Sequence, residues 1–200
     1  MPDLQIRKRK ARKEWRMKRD KTFGIYVPSY KRYDCIKTDK VLNDCTYVVR
    51  ESEEQLYRDA GVRKILAAPD QEIDSLPKIR QWIIDHTPED IIVQIDDDIE
   101  RFSYVNKVNM EEIPDPDIID AELVRIGQIL SDLNLGFASI RMQESVIKYN
   151  EEFRFSSTIG LVCWFNKAAL KSRYDENVRF KADTDFQLSE LLNNRIIIVP

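Results

Sequence analysis

The stretch Ile91-Ile92-Val93-Gln94-Ile95-Asp96-Asp97-Asp98 runs from a mostly β-branched apolar segment into three consecutive carboxylates. An apolar run of this length that does not alternate with polar residues predicts a buried, central parallel strand. Unpaired charges are costly to bury, so we expect the three aspartates at the point where the strand leaves the sheet. Open α/β sheets bind their ligands at these carboxyl ends. The stretch therefore predicts both a fold class and the position of a site.

Two of the three aspartates are candidate metal ligands. Asp96 and Asp98 are two residues apart on an extended segment, so their side chains point to the same side and could hold one hard cation. Mg²⁺ and Mn²⁺ favour such oxygen ligands and complete their coordination with substrate phosphates. The alternative interpretation is a solvated acidic turn after a strand.

The composition limits the class of protein and the chemistry it can perform. Two hundred residues, 42% of them hydrophobic and 34% charged, suit one α/β domain with a real core. The sequence contains no apolar run of about 18 residues and no apolar segment behind its basic N-terminus, so a cytoplasmic location is expected. His86 is the only histidine, and the three cysteines lack metal-ligand spacing. Carboxylates, Lys, Arg and hydroxyls are therefore the expected catalytic groups.

The net charge of −3 conceals a basic N-terminal extension. Residues 1–21 carry ten Lys or Arg against three acids, whereas the rest of the chain carries 22 against 32. Such an arm is typical of a nucleic-acid contact or of a solvated charged extension. We therefore divide the chain into the extension, residues 1–21, and a domain, residues 22–200.

Apolar runs and helical spacing predict an alternating α/β order. Strand–helix units repeat three times before the aspartates, which implies parallel strands joined by right-handed crossovers. A helix with an apolar stripe formed by Ile119, Leu123, Ile126 and Leu130 follows them. The predicted strands are residues 23–27, 46–49, 64–68, 91–95, 102–105, 136–140, 157–165 and 195–199. The predicted helices are residues 34–43, 51–60, 78–84, 118–133, 167–171 and 186–192, and residues 106–117 are predicted to be a loop.

Two further segments carry candidate site residues. The loop Pro28-Ser29-Tyr30-Lys31-Arg32 follows the first predicted strand, where Lys31 and Arg32 could meet phosphates and Tyr30 could stack on a base. Asp183-Thr184-Asp185 precedes the predicted helix 186–192 and forms a second acidic site. Its alternative interpretation is a plain helix N-terminus, where carboxylates interact favourably with the helix dipole.

The order strand–PSYKR, strand–VVRE, strand–AAP, KIRQW helix, strand–DDD resembles the nucleotide-binding half of a GT-A glycosyltransferase. The downstream segments Trp164–Leu170, Tyr174–Glu176 and Asp183–Phe186 extend this resemblance. Within that class, the PSY-KR opening and the tripled Asp are most similar to the TET/JBP-associated glycosyltransferases. These are phage and eukaryotic enzymes implicated in sugar transfer to hydroxymethylated pyrimidines in DNA. The resemblance covers residues 22–200.

The resemblance implies a GT-A-like fold, a mainly parallel central sheet with helices on both faces, and an inverting, metal-dependent hexosyltransferase. It implies a nucleotide-sugar donor such as a UDP-sugar, Mn²⁺ or Mg²⁺ as cofactor, and DNA as the acceptor. Asp96 and Asp98 match the DxD metal motif, and Asp185, with Asp183 in support, matches the catalytic base. The implied donor-binding residues are Pro28, Ser29, Tyr30, Arg32, Lys78, Arg80 and Asp97.

The sequence departs from the family pattern in two places. Thr184 stands where many relatives have Glu immediately before the Asp, which leaves Asp183 as an alternative base. Many GT-A enzymes use a C-terminal His as a third metal ligand, whereas this chain stops at Pro200 on a predicted core strand, as a C-terminally incomplete domain would. Three alternatives therefore stay open: a GT-A enzyme acting on a glycan, a nucleotidyltransferase, and an inactive nucleic-acid-binding module.

Overall fold

A computed structural model describes residues 21–105, 108–140, 153–155, 160–178 and 180–200. The predicted basic extension therefore lies outside the described residues except for Lys21. Within the described ranges, no helix is long and apolar enough to cross a membrane.

Eight strands and four α-helices make up the described chain. The strands are β1 (Phe23–Pro28), β2 (Thr46–Arg50), β3 (Ile65–Ala68), β4 (Ile91–Ile95), β5 (Phe102–Val105), β6 (Met110–Ile113), β7 (Phe137–Ser139) and β8 (Val162–Asn166). The helices are α1 (Glu54–Asp59), α2 (Leu76–His86), α3 (Pro116–Asp132) and α4 (Ala182–Asn194). Short 3₁₀ turns cover Thr38–Lys40 and Glu51–Glu53.

Six strands form one mixed sheet in the order β3-β2-β1-β4-β8-β7. The four strands β3, β2, β1 and β4 are parallel, as the strand–helix repeats predict. β8 runs antiparallel to both β4 and β7. The central position of β4 matches its prediction, and its five residues are all buried. Asp96 to Asp98 therefore follow β4 at the edge where the parallel strands end.

Helices cover both faces of the sheet, because successive side chains of a buried strand point to opposite sides. Ile91, Val93 and Ile95 pack in one core with the α3 stripe that the sequence predicts, which is fully buried. Ile92 packs in the second core with residues of α2 and α4, including Phe186. The predicted α/β architecture with two helical layers is confirmed.

Several predicted elements differ from the structure. The sequence predicts a loop over residues 106–117, but β6 pairs with β5 there in a small antiparallel sheet and α3 begins at Pro116. The helix predicted over residues 167–171 is a turn, in which the backbone carbonyl of Asn166 accepts hydrogen bonds from the amides of Ala169 and Leu170. The helix predicted over residues 34–43 shrinks to the 3₁₀ turn Thr38–Lys40.

The predicted C-terminal strand over residues 195–199 is present only as two isolated bridges. Ile198 pairs with Ala138 at the β7 edge of the sheet, and Val199 pairs with Arg154. Residues 157–159, the start of the strand predicted over 157–165, lie outside the described residues, and β8 begins at Val162.

Candidate active site

A buried threonine holds the turn that carries the three aspartates. The Thr38 hydroxyl donates a 2.6 Å hydrogen bond to the Asp96 carbonyl and accepts one of 3.0 Å from the Ile99 amide. The Thr38 side chain is fully buried. These two hydrogen bonds fix the direction in which the chain leaves β4, so the backbone that carries the three carboxylates is held in place. Sequence reasoning did not identify Thr38, since a lone threonine inside the predicted helix 34–43 carries no pattern.

Asp97 is the buried member of the trio, with 5% of its surface exposed. Its Oδ2 accepts a 2.6 Å hydrogen bond from the Ser29 hydroxyl, which also bonds the Tyr57 hydroxyl at 2.7 Å. Its Oδ1 pairs with Nη1 of Arg32 at 2.5 Å. Charge-assisted hydrogen bonds of this kind offset the cost of burying a carboxylate. Asp97 thus joins the end of β4 to the loop after β1.

Arg32 bridges the second and third aspartates. Its Nη2 lies 3.3 Å from Oδ2 of Asp98, and 40% of the Asp98 side chain is exposed. The charge of Asp97, and more weakly that of Asp98, raises the pKa of the Arg32 guanidinium, although burial opposes this. Half of the Arg32 side chain remains open to solvent, so a ligand phosphate can still reach it. Ser29, Arg32, Asp97 and Asp98 therefore form one connected group of side chains.

Arg80 lies deeper and connects the two predicted acidic sites. Its Nη2 donates to Oδ1 of Asp96 at 2.7 Å, and its Nε lies 3.2 Å from Oδ1 of Asp183. Burial alone would lower the pKa of this guanidinium, but Tyr174 and the carboxylates of Asp183 and Asp96 raise it, so it remains charged. Burial raises the pKa of Asp96, and the charge of Arg80 counteracts part of that rise.

Asp183, not Asp185, is the residue that contacts this network. Helix α4 begins at Ala182, so both aspartates lie in its first turn rather than in a loop ahead of it. The Tyr174 hydroxyl donates to Oδ1 of Asp183 at 3.3 Å, and the Tyr174 ring stacks on Phe186 with centroids 4.4 Å apart. Within the described residues, the Asp185 side chain is half-buried and has no hydrogen bond or ion pair. Tyr174 was not among the predicted site residues.

The remaining predicted donor-binding residues are Tyr30, Pro28 and Lys78, and they lie in three different environments. Tyr30 is half-exposed after β1, and the Arg50 guanidinium at the end of β2 lies 4.0 Å from its ring centroid. Pro28 is the buried last residue of β1. The Lys78 ammonium pairs with Asp74 at 3.0 Å, one turn away on the amino-terminal side. Within the described residues it does not contact the three aspartates that follow β4. The sequence did not single out Arg50, whose Nε is buried and has no hydrogen-bond partner within the described chain.

A family model built on the TET-associated glycosyltransferases matches residues 23–199 of this chain. The match covers the whole sheet, both acidic sites and the arginines between them. The chain belongs to the TET-associated glycosyltransferase family. This agrees with the family that the PSY-KR loop and the tripled aspartate indicate. Comparison with functionally curated proteins gave no match.

Solved structures place this family member in the GT-A fold. The mannosyltransferase PcManGT from Pyrobaculum calidifontis, in complex with GDP-Man and Mn²⁺, is similar with a TM-score of 0.59 at 13% identity, over 90% of this chain and 55% of that chain. S. aureus TarS 1-349 in complex with UDP-GlcNAc gives 0.54 at 11% identity, over 90% and 56%. At such identities the likeness shows the fold alone. The chain spans little more than half the length of these structures.

The carboxylates of Asp96 and Asp98 fit a metal ion that a bound substrate also coordinates, rather than one that protein side chains hold alone. Among the described residues, no group of three or more Asp, Glu, His or Cys side chains is arranged to hold a cation. Asp96 and Asp98 each use one oxygen on an arginine, and both side chains are partly exposed. Mg²⁺ and Mn²⁺ are commonly bound by one or two carboxylates together with substrate phosphates and water. The two predicted ligands suit that mode.

A cavity of about 530 Å³ lies at the opposite edge of the parallel strands. Its lining includes Thr46 and Ile65, the first residues of β2 and β3, and it shares no residue with the acidic network. Its three Lys and Arg side chains are already paired, since Arg58 pairs with Glu54, Arg63 with Asp39 and Lys64 with Asp44. The carboxyl edge, where parallel sheets bind ligands, is therefore the candidate active site.

Proposed function

We propose that this protein transfers a sugar from a nucleotide-sugar donor to an acceptor hydroxyl in a single inverting displacement. The supporting observation is Arg80, which contacts Asp96 at the end of β4 and Asp183 at the start of α4. Asp96, a candidate metal ligand on the donor side, and Asp183, a carboxylate that can act as a base, thus belong to one site. Sugar transfer requires both functions close together.

The donor is assigned to the edge formed by the ends of β1, β2 and β4. Tyr30 offers an aromatic surface to the base, and Arg32 offers N–H donors to the diphosphate. Asp97 is buried with both oxygens engaged, so we assign it to holding Arg32 in place. Asp98 and Asp96 are the candidate ligands for Mn²⁺ or Mg²⁺, which when bound would offset negative charge on the leaving diphosphate.

Asp183 is assigned as the general base. In the displacement, the acceptor oxygen forms a bond to the anomeric carbon while its proton passes to a carboxylate oxygen of Asp183. The bond between the anomeric carbon and the diphosphate oxygen breaks, and its electron pair leaves with the nucleoside diphosphate. The Tyr174 hydroxyl and Arg80 both contact Oδ1, which orients the carboxylate and leaves Oδ2 for the acceptor.

A hydroxymethylated pyrimidine in DNA is the acceptor that we propose. Family membership and the basic residues 1–21 support it, since Lys and Arg clusters bind the phosphate backbone irrespective of sequence. Transfer to oligonucleotides that contain hydroxymethylpyrimidines, with unmodified oligonucleotides as the control, tests this part. Donor hydrolysis without transfer to either DNA would reject the DNA acceptor and retain the donor assignment.

Calorimetric binding of UDP-GlcNAc and GDP-mannose, with and without Mn²⁺, tests the donor site. We expect Asp98→Ala to weaken Mn²⁺-dependent binding by about tenfold or more, the loss that removal of a charged contact of about 1.4 kcal/mol produces. Glu100→Ala is the matched control, because Glu100 lies two residues further on and pairs only with Lys37 within the described chain. Equal binding by the two variants would reject the proposed donor site.

A further inference from the structure

Arg80 is the best-buried charged group near the candidate site. Only 2% of its surface is exposed, and it lies on the face of α2 that packs against the sheet. Its backbone carbonyl accepts a 2.8 Å hydrogen bond from the Gln94 side chain of β4, which ties the helix to the strand at this residue. Of the guanidinium nitrogens, Nη2 is hydrogen-bonded to Asp96, whereas Nε and Nη1 are buried and have no hydrogen-bond partner within the described chain.

The contacts of Arg80 join two elements that no other described ion pair connects. Asp96 directly follows β4, and Asp183 lies in the first turn of α4. One carboxylate oxygen of each residue forms an ion pair with the same guanidinium. Because the guanidinium is planar and rigid, two carboxylates bound to it are held at a set separation. Because Arg80 is buried, its guanidinium lies away from the exposed surface at which a donor diphosphate would bind.

We propose that Arg80 is a positioning residue, which sets the spacing between the donor-side Asp96 and the base Asp183 rather than contacting the diphosphate. The sequence-based assignment of Arg80 to the diphosphate is replaced by this one. The inference rests on the proposed function, because the spacing matters only if both carboxylates act in one reaction. A misplacement of about 1 Å in such a site can lower the rate by about 100-fold.

Arg80→Lys is the informative substitution. It keeps the charge, but its single Nζ cannot reproduce the two-nitrogen fork that meets both carboxylates. We expect kcat for donor turnover to fall by about 100-fold, with a KM for the donor that changes by less than about tenfold. Arg58→Lys is the matched control, because it makes the same substitution at an exposed arginine of α1 that pairs with Glu54, and it should leave both constants unchanged.

A double-mutant cycle with Asp183→Asn separates positioning from direct contact. If Arg80 acts through Asp183, adding Arg80→Lys to Asp183→Asn lowers kcat by less than about threefold further, because the carboxylate to be positioned is already gone. If Arg80 contacts the donor itself, Arg80→Lys lowers kcat by the same factor with and without Asp183→Asn, and it raises the KM for the donor. That second result would overturn the inference.

Two controls keep the outcome interpretable. Thermal unfolding checks that each variant folds, and Arg80→Gln, which keeps N–H donors without the charge, takes the place of Arg80→Lys if the latter does not. Calorimetric binding of UDP-GlcNAc and GDP-mannose to the unchanged protein is measured first. Failure of both to bind would reject the proposed function and the inference with it, whereas normal binding with equal kcat losses in both backgrounds rejects the inference alone.

Discussion

The Ser29 hydroxyl donates a 2.6 Å hydrogen bond to Oδ2 of Asp97, which lies 68 residues further along the chain. The contact joins the loop after β1 to the turn after β4, two strands that are neighbours in the sheet. Both side chains are buried, so the bond is shielded from water. The middle aspartate of the trio is therefore a structural brace of the site as well as part of its charge.

Ser29→Ala should lower the free energy of unfolding by about 1–3 kcal/mol, because it leaves the buried Asp97 and Tyr57 oxygens without this partner. Urea denaturation followed by circular dichroism measures the change. Ser52→Ala is the control, since its hydroxyl also bonds an aspartate, Asp70, but at an exposed position. The control should change stability by no more than about 0.5 kcal/mol. Equal losses for the two variants would contradict the bracing role.

Asp183→Asn and Asp185→Asn should separate the two candidate bases. We expect Asp183→Asn to lower the transfer rate by about 10²–10⁴-fold, the usual contribution of a general base. Asp185→Asn should lower it far less, because its side chain contacts none of the charged groups of the described site. Single-turnover transfer with saturating donor provides the rate. A larger loss for Asp185→Asn would return the base assignment to that residue.

Gly127→Ala should destabilise the protein although alanine favours helices. A Cβ on this α3 residue would lie 2.9 Å from Ile91 Cγ2 and 2.9 Å from Phe23 Cε2. Overpacking of this kind costs about 1–3 kcal/mol and outweighs a gain of about 1 kcal/mol in helix propensity. Val124→Ala on the exposed side of the same helix is the control. A melting temperature for Gly127→Ala at or above that of the unchanged protein would show that α3 can move off the sheet.

The three thiols should react in two classes. Burial raises the pKa of both Cys45 and Cys163 to about 12, so near pH 8 almost none of either thiol is ionised, whereas Cys35 is exposed. Labelling with a thiol-specific disulfide reagent should therefore modify one cysteine in the folded protein and three in urea. Raising the pH towards 12 increases the thiolate fraction of the buried pair. Rapid modification of more than one thiol at pH 8 would show that a buried site opens readily.

Local patterns predicted most of what surrounds the site. The unbroken apolar run of β4 and its three following acids required a buried strand with charges at its end, and the structure has both. The stripe from Ile119 to Leu130 required a helix with one buried face, which α3 provides. The short strand β6 escaped prediction because its burial pattern is mostly exposed, so its sequence carries no apolar run.

The sequence by itself determined the parallel sheet, the position of Asp96 to Asp98 at its carboxyl edge, and the family. These depend on hydrophobic periodicity and on residue order, which are local properties of a chain. The tertiary structure alone decided that Arg80 is buried between Asp96 and Asp183, and that Asp185 stands outside this network. Such pairings depend on how the sheet order brings distant segments together, and a buried charge must then find its partner wherever the fold supplies one.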